Sequence, residues 1–182
     1  MTNLFYRNKS KTRNRPVTVY LFSQISNGIF AVFGPDYIGH IYSGGQPRPG
    51  QGKRTGTVRH DDYGNGGRAA DVHIYHKDTM DQVVGADLAP LAQYWAAKKI
   101  GGVGLEMRGG GIHLDEWAKP PSKRAAMFWY YKYGAGTQAR VAQIKAVSDG
   151  LRGIMPPLYV KPRQSPWAAI FSAIAGIFRR KT

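Results

Sequence analysis

An α+β domain is the fold class this sequence predicts, on three observations. Tyr37 to Tyr42 and Ala69 to Tyr75 are short, rich in β-branched and aromatic residues and bounded by glycine-rich stretches, so they read as strands. Val103 to Leu105 and Ile112 to Leu114 flank Gly109-Gly110-Gly111 and read as a hairpin. Two longer segments, about Leu88 to Ile100 and Thr137 to Leu151, carry apolar residues at helical spacing.

Residues 1–16 are polar and basic, end at Pro16 and predict a disordered arm. Val17 to Phe22 reads as a strand or the start of a helix, and Ile29 to Phe33 continues either, up to a turn at Gly34-Pro35. Residues 43–68 form a long segment dense in Gly, Pro and Arg; a loop of that length inside a compact domain is usually functional or disordered. In the next helix Asp87 is the expected N-cap and Pro90 fits the first turn. Leu88, Leu91, Ala92, Trp95 and Ile100 mark one face, and Gly101-Gly102 ends it. The helix over 137–151 is expected to set Val141, Ile144 and Val147 on one side. Residues 152–166 hold four prolines and read as a linker. Ser165-Pro166 then starts a last helix, in which Trp167, Ile170, Phe171, Ile174, Ile177 and Phe178 share a face ahead of Arg179-Arg180-Lys181. The expected organisation is an arm over 1–16, one domain over 17–151, and a linker with an amphipathic helix over 152–182.

Charge and composition narrow the function classes. The chain has no cysteine, so disulfides and thiolate metal sites are excluded and any metal must be held by His, Asp or Glu. The net charge of +15 is concentrated in the flanks. No acid precedes Asp36 or follows Asp149, while Arg7, Lys9, Lys11, Arg13 and Arg15 lie on one side and Arg152, Lys161, Arg163, Arg179, Arg180 and Lys181 on the other. Such flanks attract nucleic acid, anionic lipid or an anionic wall polymer, or serve only as solvated tails. Trp167 to Phe178 spans about 18 Å as a helix, short of the roughly 30 Å hydrocarbon core. Lying in a membrane interface with its bases on lipid phosphates, or docking on the domain, are the two readings of this helix. No secretory signal and no spanning segment is discernible, so the expected place of synthesis is the cytoplasm.

Three segments carry the chemistry. They are Arg59-His60-Asp61, Ala69-Ala70-Asp71-Val72 and Ile112-His113-Leu114-Asp115. Asp71 and His113 are polar residues inside apolar strands, where an unpartnered carboxylate is costly. If these segments converge, His60, Asp71 and His113 make a three-ligand zinc site, which leaves a fourth position open. His73 follows Asp71 by two residues and so shares its face of a strand, which makes His60, Asp71 and His73 an alternative set. His76 reads as a surface residue at a strand end.

The order and contexts of these pieces resemble the zinc D-Ala-D-Ala carboxypeptidase and L-Ala-D-Glu endopeptidase family of peptidoglycan peptidases, which includes many phage endolysins. The matching pieces are Ser43-Gly44-Gly45-Gln46, Arg59-His60, Gly67-Arg68-Ala69-Ala70-Asp71-Val72, Gly101-Gly102-Val103-Gly104 and Ile112-His113-Leu114-Asp115, over roughly residues 30–135. The resemblance implies a small antiparallel sheet carrying zinc (Zn2+) on His60, Asp71 and His113, with helices packed on the sheet. It implies a zinc-activated water that attacks a stem-peptide amide, with a nearby carboxylate as general base.

The chain departs from that pattern in three places. Asp71 follows His60 by eleven residues, longer than the family's usual interval. The acidic base expected three residues before the last His is Gly110, which leaves Asp115, Glu106 or Glu116 for the role; Asp115 would otherwise orient a ligand. The family's substrate-binding arginine after Ser-Gly is Gln46, so Arg48, Arg54 or Arg59 would supply that charge. The expected partners are peptidoglycan stem peptide and, through the last helix, anionic membrane lipids, with a monomer acting at the cell wall and no specific nucleic acid. The alternative is a non-enzymatic nucleic-acid-binding protein that uses its charge and Trp129, Tyr130, Tyr131 and Tyr133 to stack on bases.

Overall fold

The computed structural model describes residues 3–7, 10–55, 58–105, 109–117, 128–130 and 137–160, which form an α+β unit with a mixed sheet and three helices. The stretch that sequence leaves open between strand and helix is α1, Val19–Phe33. Helix prevails because Leu21, Ile25, Ile29 and Val32 recur on one face and are fully buried. Thr18 caps it, its hydroxyl accepting from the Leu21 amide at 3.0 Å. Gly34, at φ 81°, lets the chain leave the helix and enter β2, Tyr37–Ser43.

The N-terminal segment is not the disordered arm its composition suggests. Leu4–Tyr6 form β1, which pairs in parallel with β2, Leu4 opposite Gly39. Leu4 is buried, and it fits because Gly39 has no Cβ: one there would lie 2.8 Å from Leu4 Cδ1 and 2.4 Å from Ile29 Cδ1. Helix α1 is the crossover that a parallel β1–β2 pair requires. The following basic stretch is pinned by backbone bonds, Arg15 to Gly45 in both directions at 2.9 and 2.8 Å, and Gly44 N to Arg13 O at 2.8 Å.

The remaining elements are β3 (Ala69–His76), β4 (Gln82–Val83), α2 (Ala89–Ala97), β5 (Val103–Leu105), β6 (Ile112–Asp115), β7 (Phe128–Tyr130) and α3 (Thr137–Leu151). The sheet order is β1-β2-β3-β6-β5-β7, with β4 paired on β3. The pairs β2–β3, β3–β4, β3–β6 and β5–β6 are antiparallel, whereas β1–β2 and β5–β7 are parallel, so the sheet is mixed rather than antiparallel throughout. Ile41, Ala70, Val72, Ile74, Ile112 and Leu114 join Leu21, Ile25, Ile29, Leu91 and Trp95 in the buried core. Side chains alternate along a strand, so Asp71, His73, His113 and Asp115 are set on the other face.

Several local expectations need correction. Asp87 does not cap α2; it lies in a short 3-10 turn, Gly85–Leu88, and no side chain caps the helix that follows. Pro90 does sit in the first turn. Helix α3 turns Val141 and Ile144 outward and buries Gln143, Ala146 and Val147. It does so because it packs closely on α2: a Cβ at Gly150 would lie 2.4 Å from the Gln93 carbonyl oxygen. The segment expected to be a linker is folded as far as it is described, with Tyr159 N donating to Val32 O at 2.6 Å and its ring packing on Phe33 and Tyr37. Burial and the facing Asp87 carboxylate raise the Tyr159 pKa. The helix expected over 165–178 lies outside the described residues. No helix among the described residues is long and apolar enough to cross a membrane.

The Thr18 hydroxyl also donates to Glu116 Oε2 at 2.6 Å, which ties the start of α1 to the end of β6. Loss of this cap by Thr18→Ala is expected to cost about 1–2 kcal/mol in a urea titration.

Candidate metal centre

The centre begins with strand register. Asp71 on β3 lies directly opposite His113 on β6, so both project from one face and their side chains meet. Asp71 Oδ1 is 2.8 Å from His113 Nδ1. His60 arrives from a different direction, on a 3-10 turn over Val58–His60. That turn is seated by Gln46 N donating to His60 O at 2.8 Å and by the His60 ring, whose Nδ1 meets Gly44 O at 2.7 Å. The close pass of Gly45 against Gly67 allows this seating: a Cβ on Gly67 would lie 2.2 Å from Gly45 Cα. His60 Nε2 then stands 3.6 Å from Asp71 Oδ1.

His60, Asp71 and His113 are all buried, and one ligand atom from each lies within 4.8 Å of the others. The group can hold a metal ion, and the environment of each ring fits that use. His60 Nδ1 donates to Gly44 O, which leaves the Nε2 lone pair facing Asp71. His113 presents Nδ1 to Asp71, while its Nε2 lies 3.5 Å from Asp115 Oδ2. A backbone carbonyl behind one histidine and a carboxylate behind the other are the supports that orient metal-ligating imidazoles. The eleven-residue interval between His60 and Asp71 is absorbed by a loop in which Asp62 Oδ1 accepts from the Gly64 and Gly66 amides at 2.8 and 2.9 Å.

The electrostatics follow from burial and from these contacts. Burial pulls the His60 pKa below its usual value against the opposing pull of Asp71, so His60 is neutral. Burial acts the same way on His113, but the hydrogen bonds and charges of Asp115 and Asp71 outweigh it and raise its pKa. Burial alone would raise Asp71; the bond from His113, the foremost of the opposing causes, instead holds it well below the usual carboxylate range. At 2.8 Å from the Asp71 carboxylate, His113 Nδ1 is the donor of that contact, and a metal taking Nδ1 must displace its proton.

The other expected site residues have definite places. Asp115 is fully buried and heavily engaged: Oδ1 accepts from the Gly102 and Trp117 amides at 2.6 and 3.0 Å, and Oδ2 accepts from Arg59 Nη1. Burial works to raise its pKa, but His113, Arg59 and the Gly102 amide lower it. A general base must reach the proton it takes, and this carboxylate is enclosed, with Oδ2 3.5 Å from His113 Nε2. Arg59 is committed to Asp115 and is itself buried. Gln46 is fully buried, donating to Asp61 Oδ1 at 3.0 Å and accepting from the Thr55 amide at 3.2 Å, so it braces the loop rather than facing a substrate. Arg54 is paired with Asp61. Arg48 donates to Asp62 O at 3.1 Å and lies over the Tyr63 ring. Glu116 pairs with Arg68. Glu106, Tyr131 and Tyr133 lie outside the described residues.

His73 shares the face of Asp71 but is turned to other partners. Its Nδ1 is 2.8 Å from Gln82 Nε2 and its ring packs on Tyr42, so the alternative set with His73 does not form. His76 sits at the end of β3, its Nδ1 3.3 Å from the Asp78 amide and its ring edge-on to Tyr37. Arg13 is the residue that sequence reasoning overlooks. Its Nη1 lies 3.2 Å from Asp71 Oδ2 and 3.3 Å from His60 Nε2. Only its place among scattered bases marked it, and that signal does not distinguish it from Arg7 or Arg15.

No family model, no curated protein and no solved structure matches this chain.

His60→Ala or His113→Ala is expected to abolish stoichiometric metal binding, read by elemental analysis of protein purified with zinc present. Asp115→Asn, which keeps all three ligands, is expected to weaken metal affinity about 10–100-fold in a chelator competition.

Proposed function

We propose that the chain is a zinc-dependent peptidoglycan peptidase of endolysin type, cutting a stem-peptide amide bond. The observation that carries the metallohydrolase reading is the convergence of His60, Asp71 and His113 from three separate segments into one buried group. Two imidazoles and one carboxylate, without thiolate, form the ligand set of hydrolytic zinc rather than of structural zinc, which is usually closed by four protein ligands. The peptidoglycan substrate rests on the resemblance of the five ordered segments.

Zinc bound there supplies Lewis acidity, which acidifies water and polarises an amide carbonyl. The chain's own part is orientation and proton handling. Gly44 O and Asp115 fix the two rings, Arg59 holds Asp115, and the Gly102 amide completes the enclosure. With Asp115 so engaged, the general-base role passes to Glu106, which directly follows Leu105, the last residue of β5. Arg48 and Arg54, from the loop that seats His60, are the candidate contacts for substrate carboxylates.

The test is release of new amino groups from purified peptidoglycan by zinc-loaded protein. Cleavage is expected to stop with chelator and with His113→Ala. Glu106→Gln is expected to lower kcat about 10²–10⁴-fold with zinc content unchanged. Stoichiometric zinc without amino-group release would remove the peptidase reading while leaving the metal centre. Deletion of residues 161–182 is expected to leave cleavage intact and to reduce binding to anionic phospholipid vesicles.

A further inference from the structure

We propose that Arg13 is a built-in competitor of the metal: its guanidinium holds the metal-free centre together and must leave His60 before metal can bind. The inference rests on the metal-centre reading and adds a residue that neither the sequence motifs nor the resemblance places there.

The argument is one of shared lone pairs. Because His60 Nδ1 is directed at Gly44 O, the ring offers only the Nε2 lone pair toward the centre. Arg13 Nη1 lies 3.3 Å from that atom and 3.2 Å from Asp71 Oδ2. A guanidinium can only donate, so His60 Nε2 serves as its acceptor. The same lone pair is the one His60 would give a metal, and one lone pair cannot serve both. Asp71 differs. Its Oδ1 faces the two rings, while Oδ2 faces Arg13, so metal and arginine can use opposite oxygens of one carboxylate. Loading therefore removes one of the two contacts of Arg13 Nη1 and leaves the other. A fixed positive charge beside the centre, in a poorly solvated place, also opposes a divalent cation directly.

Arg13 is held for this role. The backbone bond from Gly44 N to Arg13 O at 2.8 Å ties it to the residue that orients His60. Ser10 Oγ accepts from its amide at 3.0 Å, and its Nε donates to Thr55 O at 3.3 Å. Its side chain is one-fifth exposed, so the head group can swing outward while the backbone stays fixed. Without metal, the ionised Asp71 would otherwise rest on the hydrogen bond from His113 alone, and a buried charge with too few partners is strongly destabilising.

The experiment compares wild type, Arg13→Gln and Arg13→Lys by zinc titration against a chromophoric chelator and by thermal unfolding with and without zinc. Arg13→Gln is expected to bind zinc about tenfold more tightly, to unfold at lower temperature without zinc, and to unfold close to wild type when loaded. Arg13→Lys, which keeps the charge but not the forked geometry, is expected to fall between the two. An affinity for Arg13→Gln equal to or weaker than wild type overturns the proposal. So does an equal fall in Tm with and without zinc, which marks a merely structural residue. Should Arg13→Gln fail to fold, an Arg13→Lys affinity at or below that of wild type overturns it equally. Failure of wild type itself to bind zinc would instead remove the metal-centre reading on which the proposal stands.

Discussion

A buried carboxylate organises this molecule. Asp71 is the third residue of β3, 4% exposed, between Ala70 and Val72. Removing a carboxylate from water costs several kcal/mol unless partners replace its hydration. Two groups from distant parts of the chain do so, His113 across the β3–β6 register and Arg13 from the N-terminal segment, while His60 from the long loop closes on the same carboxylate at 3.6 Å. Each of these brings its own support. Asp115 and Arg59 stand behind His113, Gly44 behind His60, and Ser10 and Thr55 beside Arg13. The polar half of the structure can be traced outward from this one charge.

The apolar half obeys a separate and simpler constraint. One face of the sheet is covered by α1 and α2, and the alternation of side chains then delivers Asp71, His73, His113 and Asp115 to the other face without further specification. A single-residue slip of β6 against β3 would exchange Leu114 for His113 and destroy both halves together. Glycines enforce the close fit at the boundary: at Gly101, a Cβ would lie 2.0 Å from the Asp115 carbonyl oxygen.

Much of this was legible in the sequence where polar residues interrupt apolar strands, because such interruptions need a physical reason. Asp71 and His113 announce themselves in that way; His60, beside two aspartates in a Gly-rich loop, reads equally well as an exposed residue and is singled out only by the order of the three segments. The bounds of α3 are equally legible, since Thr137 and Leu151 enclose a run of good helix formers. Its buried face is not, because α3 approaches α2 closely at Gly150 and leaves Val141 and Ile144 exposed, and close approach rewards small side chains over hydrophobic ones. The pairing of β1 with β2 and the reach of Arg13 to Asp71 are non-local, and local composition carries no trace of them; a basic, polar stretch looks the same whether it is solvated or docked. Asp115 was legible as a site residue but not in its role, which depends on the Gly102 and Trp117 amides and Arg59 closing around it.

The docking of Tyr159 beside Tyr37 has a bearing on how this chain can be handled. Tyr37 opens β2 and Ser43 closes it, so the two ends of the strand stand about 20 Å apart at 3.3 Å per residue. The seat of His60 begins at the far end, with Gly44. The polypeptide therefore leaves its last described contacts at the pole opposite the metal ligands. A reporter carried on Val160 itself, which is exposed, would therefore sit about a strand's length from the seat of His60.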